Sequence, residues 1–225
     1  MRDQRPPIIA SDLEGVLVPE IWVEFAQRTG IDQLRLTTRD ISDYDELMQM
    51  RLDVLRQRNL RIQDIQAVIA DISPLPGAGE FVQWARARTQ FIIISDTFYE
   101  FAMPLMAQLN FPTIFCHSLD IASDGTITGY RLRLEKPKRK AIHAFRDLQF
   151  RTLAMGDSYN DTAMLEAADV GMLFDPPENV VADYPHLPIV RNHAQAKAFI
   201  LEHFLTDETA EEWTDEEPHS QVELA

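Results

Sequence analysis

Three short apolar runs, each of strand length and each ending in a polar, acid-bearing cluster, constrain this chain more than any other feature. Ile8-Ile9-Ala10 runs into Ser11-Asp12-Leu13-Glu14-Gly15, Phe91-Ile92-Ile93-Ile94 into Ser95-Asp96-Thr97, and Thr152-Leu153-Ala154-Met155 into Gly156-Asp157-Ser158-Tyr159-Asn160-Asp161. Runs of this length without polar alternation read as strands buried on both faces. Helical patterns lie between and after them, over Gly79 to Arg88, Tyr99 to Leu109, Pro137 to Leu148 and Asp161 to Ala168. The alternation predicts an α/β fold, a Rossmann-like parallel sheet flanked by helices and joined by right-handed crossovers. Ligands of open sheets of this kind sit beyond the carboxyl ends of the strands, so the three clusters are expected to converge there.

Between the first two runs the rhythm breaks. Pro19 suits the first turn of a helix that carries Ile21 and Phe25 on one face and ends at Gly30, and a second helix follows. Asp45 to Gln57 places Leu47, Met50 and Val54 at helical spacing, Ile62 to Asp71 forms a further segment, and Ser73-Pro74-Leu75-Pro76-Gly77 closes the region. This organisation predicts a catalytic core from residues 1–18 and 74–205, a helical cap inserted at 19–73 and an acidic tail at 206–225. A hairpin is expected from Leu119 to Leu134 around Asp124-Gly125.

The net charge of −15 is concentrated in the tail, where residues 206–225 hold eight acidic side chains and no Lys or Arg, leaving −7 for the rest. A surface of this sign repels phosphate backbones and anionic membranes, which argues against nucleic-acid and membrane partners. An anionic ligand then requires local positive charge, from a cation and a few placed basic side chains. Cys116 is the only cysteine, which excludes an intrachain disulfide and fits a reducing, cytoplasmic setting. No apolar run reaches the roughly 18 residues of a spanning helix, so neither export nor membrane insertion is expected. The oligomeric state stays open.

Asp12 and Glu14 stand two residues apart after the first strand, and in continued strand geometry they share a face. A carboxylate attacks phosphorus and gives a reactive acyl phosphate. A second carboxyl beside it can protonate the leaving alkoxide and then deprotonate the incoming acceptor. Asp157, from another strand end, adds a hard oxygen ligand suited to Mg²⁺, and Asp161 is placed to orient metal-bound waters from behind. Asp161 also reads as a charge at a helix N-terminus. Ser95 offers a hydroxyl to a phosphate oxygen, with Asp96 and Thr97 supplying backbone donors beside a helix start; the bland reading of Ser95 is an ordinary helix cap. Lys136 and Lys138 flank Pro137, and one of them is the candidate point charge joining phosphate to Asp12.

Together these pieces, D-x-E-G-V after a first strand, a Ser after a later strand, a Lys and then G-D-S-x-N-D, resemble the haloacid dehalogenase superfamily of aspartyl-phosphate phosphotransferases. The longer matches resemble its phosphoserine phosphatase branch, and within it the bifunctional type that also acts as a phosphoserine:homoserine phosphotransferase. The carrying stretches are Asp12 to Trp22, Thr37 to Ile41 with Asp43-Tyr44-Asp45, Ser95 to Phe101, Pro137-Lys138-Arg139 and Gly156 to Asp161. The resemblance implies that Asp12 is nucleophile and magnesium ligand. It makes Glu14 the acid/base and a further ligand through its backbone carbonyl, and Asp157 the second acidic ligand. It implies phosphate contacts at Ser95, Asp96 and Lys138, a substrate contact at Asn160, and a cap pair, Glu20 for the substrate ammonium and Arg51 for its carboxylate. Glu14 departs from the Asp common in the superfamily.

The implied substrate is O-phospho-L-serine, the acceptor water, with homoserine as a further acceptor. Another phosphometabolite is the alternative, since fold does not fix substrate. A phospho-receiver module is argued against by Glu14 and the helical insert. Taken as ordinary structure, Glu20 complements a helix dipole, Arg51 belongs to a solvated helix face, and Trp22 and Phe25 are core.

Overall fold

A computed structural model describes residues 3–37, 40, 41 and 43–205. Thr38 and Arg39, within one of the resembling stretches, Ser42 beside it, and the acidic segment 206–225 with Trp213 lie outside them.

Seven strands form one sheet: β1 (Pro7–Ser11), β2 (Gln90–Phe98), β3 (Thr113–Ile121), β4 (Ile127–Arg131), β5 (Arg151–Gly156), β6 (Val170–Phe174) and β7 (Ile189–Val190). Their order is β4-β3-β2-β1-β5-β6-β7, and every neighbouring pair is parallel except β3 with β4. The expected hairpin is this antiparallel pair. β1 sits centrally, with Ile9 opposite Phe91 on one side and Leu153 on the other.

Strand alternation sends Ile9, Ile93 and Leu153 into one core and Ile8, Ala10, Ile92 and Ala154 into the other. Both faces are therefore apolar, which is why the three runs show no alternation of polarity. On the Ile9 face pack α1 (Ile21–Thr29), α3 (Ile62–Ala70), α4 (Ala78–Arg86), α5 (Tyr99–Gln108) and α9 (His193–His203). The other face is covered by α6 (Pro137–Asp147), α7 (Tyr159–Ala167) and Val180 of α8 (Glu178–Asp183).

Between β1 and α4 lie α1, a 3-10 turn at Asp32–Arg35, α2 (Tyr44–Gln57) and α3. Gly30 ends α1 with φ 70°, in the left-handed region that glycine enters at least cost. Helix α2 starts where the Asp43 side chain accepts the Glu46 N–H at 3.0 Å. Pro19 does not enter the first turn of α1, and Glu20 occupies the position just before it.

Helix α3 is tied to α5 through a defect in α5. Pro104 has no N–H to give the Glu100 carbonyl, and Gln66 of α3 donates to that oxygen at 2.8 Å instead. The far end of α3 is held from β2's side of the sheet by the β3–β4 turn, where the Ile62 N–H donates to the Gly125 carbonyl at 2.9 Å.

Two local expectations change. β1 ends at Ser11, so Asp12 and Glu14 do not share a strand face; the chain turns at Gly15 (φ 74°) and Glu14 bridges to Val18. β2 does not end at Ile94 but carries Ser95, Asp96 and Thr97 on to Phe98, with its register to β3 shifting between Ile94 and Phe98. Ser95 is thus not a helix cap. Among the described residues no helix is long and apolar enough to cross a membrane.

Candidate active site

The loop after β1, the end of β2 and the turn after β5 meet over the carboxyl edge of the sheet around a cavity of about 1040 Å³. Asp12, Glu14, Glu20, Arg51, Ser95, Asp96, Lys138, Asp157 and Asn160 all line it. Asp161 lies beneath, fully buried.

Asp12 continues the β1–β5 ladder by one bond, its N–H donating to the Met155 carbonyl at 2.9 Å. That fixes the backbone from which its carboxylate enters the cavity. Oδ1 accepts the Leu13 N–H at 2.8 Å and Oδ2 lies 3.0 Å from Lys138 Nζ. Lys138, not Lys136, is the inward lysine: it is buried, whereas Lys136 is exposed ahead of α6. Its Nζ also reaches Asp161 Oδ1 at 2.7 Å and Asp96 Oδ2 at 3.3 Å. Burial works against the Lys138 charge, but Asp12, Asp161 and Asp96 together hold its pKa well above the ordinary lysine value.

Four carboxylates, Asp12, Asp96, Asp157 and Asp161, crowd around this one ammonium, and the imbalance shows in their acidities. Burial, then the nearby Asp161, pushes the Asp157 carboxyl up to about 7. Burial and Asp161 likewise raise Asp12 well above the carboxylate range. Burial also opposes ionisation of Asp96, but Lys138, His117 and Asn160 outweigh it and hold that carboxyl below the ordinary range.

Carboxylate oxygens of Asp12, Asp157 and Asp161 lie within 4.8 Å of one another. This hard oxygen set, short of positive charge, fits Mg²⁺. Asp161 is already engaged, since Oδ1 takes Lys138 and Oδ2 accepts the N–H groups of Asp157 and Ser158 at 3.0 and 3.2 Å. One carboxylate thus caps the start of α7 and underlies the cluster. Gly15 gives the cluster its space: a Cβ there would stand 2.5 Å from the Asp157 carboxyl carbon.

Glu14 turns away from this cluster. Its Oε2 accepts the Ile21 N–H at the start of α1 at 2.9 Å, and burial, followed by the neighbouring Glu20, pushes its pKa up to about 8. Glu20 is exposed at the rim. Arg51 is buried rather than on a solvated face. Its guanidinium lies over the Trp22 ring at 4.6 Å, one nitrogen donates to the Leu36 carbonyl at 2.8 Å, and Nε has no partner. Burial lowers its pKa to about 10. Ser95 is buried, its Oγ accepting the Thr97 N–H at 3.3 Å, and Asn160 Nδ2 donates to Asp96 Oδ2 at 3.1 Å.

Sequence reasoning missed His117, Tyr44, Leu132 and Tyr159, which also line the cavity. It weighed Trp22 as cap core against a substrate platform and favoured core. Trp22 is buried and packs edge-on to Phe101 at 5.3 Å, yet its ring also faces the cavity beneath Arg51.

The description "Hydrolase: haloacid dehalogenase-like hydrolase" matches residues 7–169, a span from the start of β1 to just before β6 that contains every one of these strand-end clusters. The chain belongs to the haloacid dehalogenase-like hydrolases. Within the family it is 54% identical over 194 residues to Phosphoserine phosphatase ThrH of Pseudomonas aeruginosa, covering 86% of this chain and 95% of that protein. It is 53% identical over 190 residues to a phosphoserine phosphatase of Pseudomonas syringae pv. tomato, covering 84% and 80%. Its fold matches the solved "Phospho-Aspartyl Intermediate Analogue of Phosphoserine phosphatase" with a TM-score of 0.70 at 19% identity, over 88% of this chain and 100% of that one.

Proposed function

We propose that this hydrolase transfers the phosphoryl group of O-phospho-L-serine to Asp12 and then to water, and that homoserine also serves as acceptor. The observation that carries the reading is the arrangement at Asp12: a buried carboxylate held by Lys138, with Asp157 beside it and a separate, proton-holding carboxyl at Glu14. The similarity to two phosphoserine phosphatases at over half identity supports the substrate.

Asp12 and Asp157, with the Glu14 backbone carbonyl, would hold Mg²⁺, and Asp161 would support them from behind. When bound, the ion neutralises carboxylate and phosphate charge as they approach. Asp12 attacks phosphorus, forming an acyl phosphate as the bond to the serine oxygen breaks, and Glu14 gives that oxygen its proton. The ionised Glu14 then takes a proton from water or from the alcohol of the acceptor, which attacks the phosphorus and frees Asp12. Lys138 and Ser95 hold phosphate oxygens, with Asp96 and Asn160 fixing that end of the site. Arg51, with an unpartnered Nε, binds the amino-acid carboxylate, and Glu20 at the rim takes the ammonium. Residues 19–73 act as a cap over a core of 1–18 and 74–205. Cys116, the single cysteine of the sequence, suits a reducing, cytoplasmic setting.

The test is phosphate release from phosphoserine with Mg²⁺, with and without homoserine, while assaying phosphohomoserine beside Asp12→Asn. Both products are expected, and both vanish in the variant. Phosphate without phosphohomoserine removes the homoserine arm, and no turnover of phosphoserine overturns the substrate.

A further inference from the structure

The buried face of β3 brings a histidine to the phosphate end of the cavity. His117 is 3% exposed and sits opposite Phe98, just past the point where the β2–β3 register shifts. Its Nδ1 accepts the Arg133 N–H at 3.0 Å, so that nitrogen carries a lone pair and the ring proton is on Nε2. Nε2 faces Asp96 Oδ1 at 3.7 Å.

The other Asp96 oxygen is the one shared by Asn160 and Lys138, and Lys138 holds Asp12. Polar groups therefore line up from the loop after β4 through His117 and then, across a 3.7 Å gap longer than a hydrogen bond, through Asp96 and Lys138 to Asp12. Leu132, Leu134, Glu135 and Lys136 of that loop line the same cavity. Satisfying a buried ring accounts for the Nδ1 contact, whereas a carboxylate of the cavity facing Nε2 ties the ring to the site.

We propose that His117 is a positioning residue of phosphoryl transfer: Nδ1 fixes the 132–136 loop against the sheet, and Nε2–H sets the orientation in which Asp96 presents Lys138 and Asn160 to the phosphate. The role rests on the phosphoryl-transfer reading of the site but not on phosphoserine as the substrate. The two functions of the ring are separable, because Asn places an oxygen near the Nδ1 position and Gln places an amide nitrogen near the Nε2 position.

Kinetics of the wild type, His117→Asn and His117→Gln are measured with phosphoserine and with a generic aryl phosphate. His117→Asn is expected to lower kcat on the order of tenfold with little change in KM, on both substrates. His117→Gln is expected to retain most of kcat. A long-range ¹H–¹⁵N correlation spectrum of the wild type is expected to place the proton on Nε2. Wild-type kcat in a folded His117→Asn, or equal losses in both variants, overturns the proposal, as does a proton on Nδ1. A proton on Nδ1 overturns the proposal even where a variant fails to fold, and the kcat of whichever variant folds supplies the remaining test. Failure on phosphoserine with turnover of the aryl phosphate overturns the substrate assignment and leaves this role in force.

Discussion

Glu14 is the residue whose environment says most about chemistry. Its pKa, raised to about 8 by burial and by Glu20, keeps the proton in place at neutral pH, which is what the proposed first step requires of an acid. Because the folded-state value is raised, the protonated form persists through neutrality and is lost as pH climbs past about 8. Single-turnover formation of the acyl phosphate should therefore slow above that pH. In Glu14→Gln the rate should fall by roughly a hundredfold or more and lose this alkaline limb. Rapid-quench measurement across pH 6 to 9 checks both, and an unchanged limb in the variant would assign the titration elsewhere.

At the scale of elements, the join between α3 and α5 makes a prediction about stability. Gln66→Ala leaves the Glu100 carbonyl without a donor and should cost about 1 kcal/mol in urea unfolding. Pro104→Ala restores an N–H at the right place in α5, so the Gln66 penalty should shrink in the double variant, a coupling that a thermodynamic cycle reads directly. Elements of this kind were also what the sequence told best. The strands β1, β2 and β5 were legible because an apolar run followed by an acid is a signal local in sequence, but the run of β2 on to Phe98 was not. The turn at Gly15 was not, since its cause is Asp157, some 140 residues away and 2.5 Å from where a Cβ would stand. β6 was passed over because Val170 to Phe174 ends in Asp175-Pro176-Pro177 with no chemistry attached. His117 was invisible for a related reason: beside Phe115 and Cys116 it reads as one polar residue on a core strand, and its meaning lies in Asp96 and Arg133.

At the scale of the whole molecule, the carboxylate excess should make stability depend on a cation and on pH together. Without Mg²⁺, the unfolded chain ionises Asp157 at the ordinary value of 3.8 while the folded chain holds its proton to about 7, so stability falls as pH rises through that window. Binding must release that proton, and the rise in Tm on adding Mg²⁺ should be larger at pH 8 than at pH 6. Gly15→Ala, which drives a methyl into the Asp157 carboxylate, should abolish the rise; a Tm shift independent of pH and of Gly15 would place the ion elsewhere. The order of the strands has a consequence for biosynthesis. β1 pairs only with β2 and β5, so Ile9 finds Leu153 only after most of the chain exists. At ribosomal speeds that delay is on the order of ten seconds. Until then β1, which leads into the carboxylate proposed to react, is an apolar strand lacking one of its two neighbours, and shielding that open edge falls to whatever meets the nascent chain outside the exit tunnel.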